Sequence, residues 1–133
     1  MKAVVLLIED SRFARTANQR ALIRSGFQVI ATEDGQGAVE LARKSRPDVI
    51  LLDLMLPKVT GVEVLRDLKT DSQTRSIPVI VVSSLSQKNK TALLRDGAAD
   101  MLEKTDALLR NDSAELIEAV HRVLKERARP SPQ

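Results

Sequence analysis

The chain predicts an α/β fold, a doubly wound parallel sheet in a single domain, and three observations carry that prediction. Apolar runs of strand length alternate with amphipathic stretches of helix length along the whole sequence. The runs at residues 3–8, 49–52 and 79–82 are continuously apolar, not alternating, which marks strands covered on both faces by helices. Finally, 133 residues suit one domain with a real core, and repeated βα units with right-handed crossovers wind helices over both faces of one sheet.

Taken in order, residues 3–8 read as a first strand, stopped by Glu9-Asp10. A helix is expected over 12–25, with Ser11 capping its start and Gly26 closing it in the left-handed conformation. A second strand at 28–31 and a helix at 36–44 follow. Pro47 and Pro78 stand just before the third and fourth strands, at 49–52 and 79–82, where a missing amide costs little. Helices at 62–69 and 88–95 bracket the fourth strand, and a fifth strand is expected at 100–102. In a last helix over 114–127, Leu116, Ile117, Val120 and Leu124 form one apolar stripe. The domain is thus expected to span 1–127, with 128–133 a frayed tail or linker stub.

Composition narrows the function. Hydrophobic residues are 43% and charged residues 29% of the chain, an ordinary globular balance. Phe13 and Phe27 are the two aromatic residues, which leaves no stacking platform for single-stranded nucleic acid. No cysteine occurs, so disulfides and thiolate metal sites are excluded. The six-residue opening run is too short for an export signal or a membrane span, and a soluble cytoplasmic protein is expected. The net charge is +3, with basic residues gathered at Lys88, Lys90 and Arg95 and again at Arg122, Lys125, Arg127 and Arg129. These read first as solvated helix faces, second as a docking surface for an acidic partner, and only third as a nucleic-acid surface. His121 reads as solvated, and Ser11, Thr16 and Asn18 as ordinary helix residues.

In doubly wound sheets the ligand crevice lies at the carboxyl ends of the strands. Glu9-Asp10, Asp53, Ser83 and Lys104 all stand at such exits. That set suits receipt of a phosphoryl group by Asp53, since a carboxylate can form an aspartyl phosphate. Carboxylate and phosphoryl group repel, so a divalent cation is needed between them. Magnesium suits, taking one or two carboxylates, waters and phosphate oxygens. Asp10 and Asp53 are the expected direct ligands, with Glu9 acting through water and the Met55 carbonyl completing the shell. Lys104 would meet a phosphoryl oxygen as a point charge. Ser83 would donate its hydroxyl to another once phosphate is present, a conditional bond suited to triggering a two-state change.

Over nearly its whole length the sequence resembles the receiver domains of two-component response regulators. The resemblance rests on Glu9-Asp10, the run Asp53-Leu54-Met55-Leu56-Pro57-Lys58-Val59-Thr60-Gly61, Ser83-Ser84, Gly97-Ala98-Ala99-Asp100, and Lys104. It implies a flavodoxin-like (βα)5 fold with strand order 2-1-3-4-5 and Asp53 as phosphoacceptor. A histidine kinase or phosphotransfer protein would be the donor, Mg2+ the cofactor, and Ser83 and Lys104 the phosphate sensors. A downstream protein target would bind the face of the fourth helix, fifth strand and fifth helix, about residues 88–127. Homodimerisation is left open, and neither nucleic acid nor membrane is an expected partner. Such a domain is not an enzyme beyond self-catalysed phosphotransfer and slow autodephosphorylation.

Three positions depart from the family pattern. Met101 stands where the family has a switch aromatic, offering a flexible side chain for the slot beneath Ser83. Thr105 replaces the family's proline after the lysine, and the stretch from Lys104 to the last helix is longer than usual. A rebuilt loop is therefore expected, with a short extra turn at 106–109. Met55 and Leu85 are apolar where flanking side chains tune phosphate hydrolysis, which predicts a long-lived phosphorylated state. The main rival is a receiver fold used for docking or dimerisation without sensitivity to phosphate. An aspartyl-phosphate phosphohydrolase fits poorly, because its second acid would fall on Met55. Nucleotide-binding folds fail because neither GxGxxG nor the P-loop pattern occurs.

Overall fold

Five parallel strands, β1 (Val4–Ile8), β2 (Gln28–Thr32), β3 (Val49–Asp53), β4 (Val79–Ser83) and β5 (Asp100–Glu103), form one sheet in the order β2-β1-β3-β4-β5. The structure is a computed structural model and describes residues 2–54, 60–83, 90–103 and 113–127. Its helices among these residues are α1 (Arg12–Arg24), α2 (Ala38–Ser45), α3 (Gly61–Thr70), α4 (Lys90–Arg95) and α5 (Ala114–Arg127). This is the flavodoxin-like (βα)5 arrangement expected, with the reversal of strand order between β1 and β3.

Alternating side chains of the apolar strands feed two separate cores. Leu6, Ile8, Ile50, Leu52, Val79 and Val81 face one way, against Ala38 and Ala42 of α2, Val64, Leu65 and Leu68 of α3, and Leu93 of α4. Val5, Leu7, Val49, Leu51, Ile80 and Val82 face the other way, against Leu22 of α1 and Leu116, Ala119, Val120 and Val123 of α5. Every residue of β3 and β4 is buried, which explains why those runs carry no polar alternation. The edge strand β2 is only partly covered.

Several expected boundaries move. β2, β3, β4 and β5 each run one residue further than expected, to Thr32, Asp53, Ser83 and Glu103. Main-chain pairing is indifferent to side-chain polarity, so a polar residue does not end a ladder. β1 begins at Val4, and α2 begins at Ala38, not Gln36. Ahead of α2, the Gln36 amide donates to the Asp34 carboxylate at 2.8 Å, a local turn that competes with an earlier helix start. Ser11 caps α1 by accepting from the Ala14 amide, and Gly26 takes φ +96° just past its end.

On α5 the buried stripe is Leu116, Ala119, Val120 and Val123, with Ile117 and Leu124 at its margins. His121 is exposed as expected, yet its ring packs on Phe27, 5.2 Å between centroids. Asn18 is not an ordinary helix residue: it is buried, and its side-chain oxygen accepts from the Ser113 hydroxyl at 2.8 Å. The basic groups are not simply solvated either. Lys90 and Arg122 both reach Asp100, and Arg127 donates to the Asp48 carbonyl at 2.6 Å. Lys88, Arg129, the turn at 106–109, Thr105, Leu85 and the tail 128–133 lie outside the described residues.

Candidate functional site

Register alone brings the acids together. Ile8 of β1 pairs with Leu52 of β3, so the residues that follow them, Glu9 and Asp53, stand side by side at the carboxyl edge. Asp53 keeps its main chain in the ladder opposite Val82. The Glu9 amide donates to the Thr32 carbonyl at 2.9 Å, holding the chain beside β2 one position beyond β1. From there the loop turns at once into α1. The Ser11 amide donates to the Glu9 carboxylate at 3.1 Å, and the Ser11 hydroxyl accepts from the Ala14 amide at 3.3 Å.

The result is a group of three carboxylates. One oxygen from each of Glu9, Asp10 and Asp53 lies within 4.8 Å of the others. Glu9 is 2% and Asp53 4% exposed, so water screens them poorly. Unit charges at such separations repel by roughly 3 kcal/mol at an effective dielectric near 20. A hard dication accepts this kind of donor set, with oxygen ligands and room for waters. The chemistry of the three carboxylates therefore fits a divalent cation.

The approach of α3 to this edge is close enough to require glycine. The Gly61 amide donates to the Leu54 carbonyl at 2.9 Å. A Cβ on Gly61 would overlap the Leu54 Cα and come within 2.7 Å of the Asp53 carbonyl oxygen. Thr60 caps α3, its hydroxyl accepting from the Glu63 amide at 3.2 Å.

Ser83 ends β4, fully buried at 0% exposure, on the strand next to that of Asp53. It pairs with Glu103, the residue before Lys104. Met101 lies two residues earlier on β5, paired with Val81. Its side chain is 1% exposed and packs in the core that includes Leu93 of α4 and Ala98. Met101 thus fills an interior slot under α4. Lys104 and Met55 lie outside the described residues. Each directly follows a placed segment, β5 and Leu54 respectively.

Two further features were not anticipated from the sequence. Arg15 of α1 turns back over the acidic loop, its Nη1 donating to the carbonyls of Glu9 at 2.9 Å and Asp10 at 3.2 Å. It also stands 3.8 Å from the Glu33 carboxylate. The available signal was an arginine near a helix start, where the dipole favours acids. The second feature is Asp100, at the amino end of β5. It accepts from Arg122 of α5 at 2.6 Å and lies 3.4 Å from the Lys90 ammonium of α4. Burial pushes the Asp100 carboxyl up, but Arg122, the Met101 amide and Lys90 together hold it below the usual aspartate range.

Residues 5–125 match the family of response regulator receiver domains. The polar-differentiation response regulator DivK of Brucella anthropi is 37% identical over 100 residues, covering 75% of this chain and 81% of that one. A phosphorylated cyanobacterial phytochrome response regulator has a TM-score of 0.82 at 27% identity, covering 98% of this chain and 100% of that one. A response regulator in its Mn2+-bound form has a TM-score of 0.78 at 28% identity, covering 98% and 99% of the two chains. The chain belongs to the response regulator receiver family. Its function is therefore in two-component signalling, as a regulator and not a conventional enzyme. Membership implies contacts with histidine kinases and downstream targets. Among the described residues, no helix is long and apolar enough to cross a membrane.

Proposed function

We propose that this protein is a phosphorylation-dependent switch in which Asp53 takes a phosphoryl group from a histidine kinase or phosphotransfer protein. The observation that carries the reading is the convergence of Glu9, Asp10 and Asp53 within 4.8 Å. Asp10 and Asp53 would ligate Mg2+ directly, Glu9 through water, and the Met55 carbonyl would complete the shell. Bound there, the cation neutralises charge on the carboxylates and the incoming phosphoryl group. Asp53 supplies the attacking oxygen, and the donor's leaving group departs on the opposite side of phosphorus.

Ser83 and Lys104 then hold phosphoryl oxygens. Ser83 is buried, so donating to a phosphoryl oxygen requires the end of β4 and the chain beyond it to shift. Met101 packs under α4 and transmits that shift to the surface formed by α4, β5 and α5. A downstream protein target reads this surface, and residues 1–127 act as the receiver unit in a cytoplasmic setting. The apolar Met55 and Leu85 leave autodephosphorylation slow.

Incubation with Mg2+ and a small-molecule phosphodonor, followed by intact mass measurement, tests the reading. A gain of one phosphoryl group is expected, lost in Asp53→Asn and in the presence of chelator. No gain, or one that persists in Asp53→Asn, favours the rival docking module that ignores phosphate.

A further inference from the structure

We propose that Arg15 is a positioning residue for the cation site: it locks the main chain on both sides of Asp10, and a divalent cation binds more tightly with this positive charge present than without it. The inference rests on reading the Glu9, Asp10 and Asp53 cluster as a divalent site. The carbonyl of Glu9 belongs to the peptide group before the Asp10 Cα, and the carbonyl of Asp10 to the one after it. One nitrogen, Nη1 of Arg15, donates to both, at 2.9 and 3.2 Å. Holding the two peptide planes fixes φ and ψ of Asp10, and those angles set the direction in which its carboxylate leaves the backbone. The exposed Glu33 carboxylate, just past β2, lies 3.8 Å from the same nitrogen. The Arg15 side chain is 20% exposed, so its two main-chain contacts are largely sheltered from water.

Long-range electrostatics alone argues against this residue. A cation near the start of α1 faces the positive end of the helix dipole, and it stands beside a site meant for another cation. Coulomb's law therefore predicts that removing Arg15 tightens cation binding. Positioning predicts the opposite sign. Groups that orient metal ligands from behind commonly change affinity by about tenfold or more, whereas a partly solvated charge is screened. The positioning effect wins.

Mn2+ titration of the full chain, followed by electron paramagnetic resonance of the free ion at fixed ionic strength, tests this. Circular dichroism and melting in chelator accompany each variant. Arg15→Met is expected to bind Mn2+ on the order of tenfold more weakly, with melting in chelator little changed. Arg15→Lys keeps the charge but not the planar fork, and is expected to weaken binding by a smaller factor. Equal or tighter binding by Arg15→Met overturns the proposal, as does a loss that merely follows loss of stability in chelator. Should Arg15→Met fail to fold, Arg15→Lys decides, and wild-type affinity there overturns it. Absence of Mn2+ uptake by the wild type would sink the proposed function itself, whereas equal uptake by all variants sinks only the role of Arg15.

Discussion

The carboxyl edge of the sheet and the amino end of β5 both carry acids, and they treat them in opposite ways. At the edge, Glu9, Asp10 and Asp53 converge on one another within 4.8 Å. At β5, Asp100 collects a guanidinium from α5 and an ammonium from α4. The second arrangement ties two helices to a strand and is electrostatically complete. The first gathers three carboxylates within reach of a single ion, the arrangement of a site shaped for a ligand.

Four experiments test this contrast. The largest effect is expected for Gly61→Ala, which disturbs the edge without touching its charge. Overlap with the Leu54 and Asp53 main chain should cost about 3 kcal/mol and impair Mn2+ uptake, read by urea denaturation and titration. Wild-type stability would show that α3 can retreat freely.

Asp10→Asn comes next and should separate stability from function. In chelator it is expected to be more stable than wild type by about 1 kcal/mol through relief of repulsion, a figure kept small because Asp10 is the most exposed member of the trio and solvent screens it. Mg2+ is expected to raise the melting temperature of the wild type by mass action, and that rise should disappear in the variant. A variant less stable in chelator would contradict like-charge strain.

Asp100→Asn should behave in the opposite sense, losing about 1 kcal/mol at neutral pH, a figure kept small because Lys90 and Arg122 are substantially exposed. Urea denaturation measures it, and an unchanged midpoint would show that Asp100 does not tie α4 and α5 to β5. The smallest effect is its pH dependence. The folded Asp100 carboxyl is held below its unfolded range, so its contribution is present above that range and is lost as pH falls through the folded value. The gap between wild type and Asp100→Asn should close below about pH 4; a constant gap would assign it to packing.

The strands themselves and the acidic trio were legible because both follow from short-range pattern, continuous apolar runs and the polar residues that end them, whereas the strand order was implied by the family resemblance. Strand ends were less legible. Asp53 and Ser83 look like stops yet remain in the ladder, since hydrogen bonding there belongs to the backbone. Arg15 was invisible for a different reason. Its partners lie five and six residues back along the chain, and the contact exists only once Ser11 has fixed where α1 begins. Asn18 and Ser113, 95 positions apart, had no local signal at all. Asp100 was noted for its place in the family pattern, but its cations come from two helices whose packing only the fold decides.

The Asn18–Ser113 bond carries a consequence for how this chain can vary. It moors the start of α5 to α1, while pairing of Glu103 with Ser83 moors the end of β5. These two anchors lie on either side of positions 104–112 in the sequence, and lengthening a connection between fixed ends is cheap in general, a doubling costing only about 0.6 kcal/mol in closure entropy. The scaffold should therefore tolerate changes of length between the two anchors, with α5 kept in place on α1 by the Asn18–Ser113 bond.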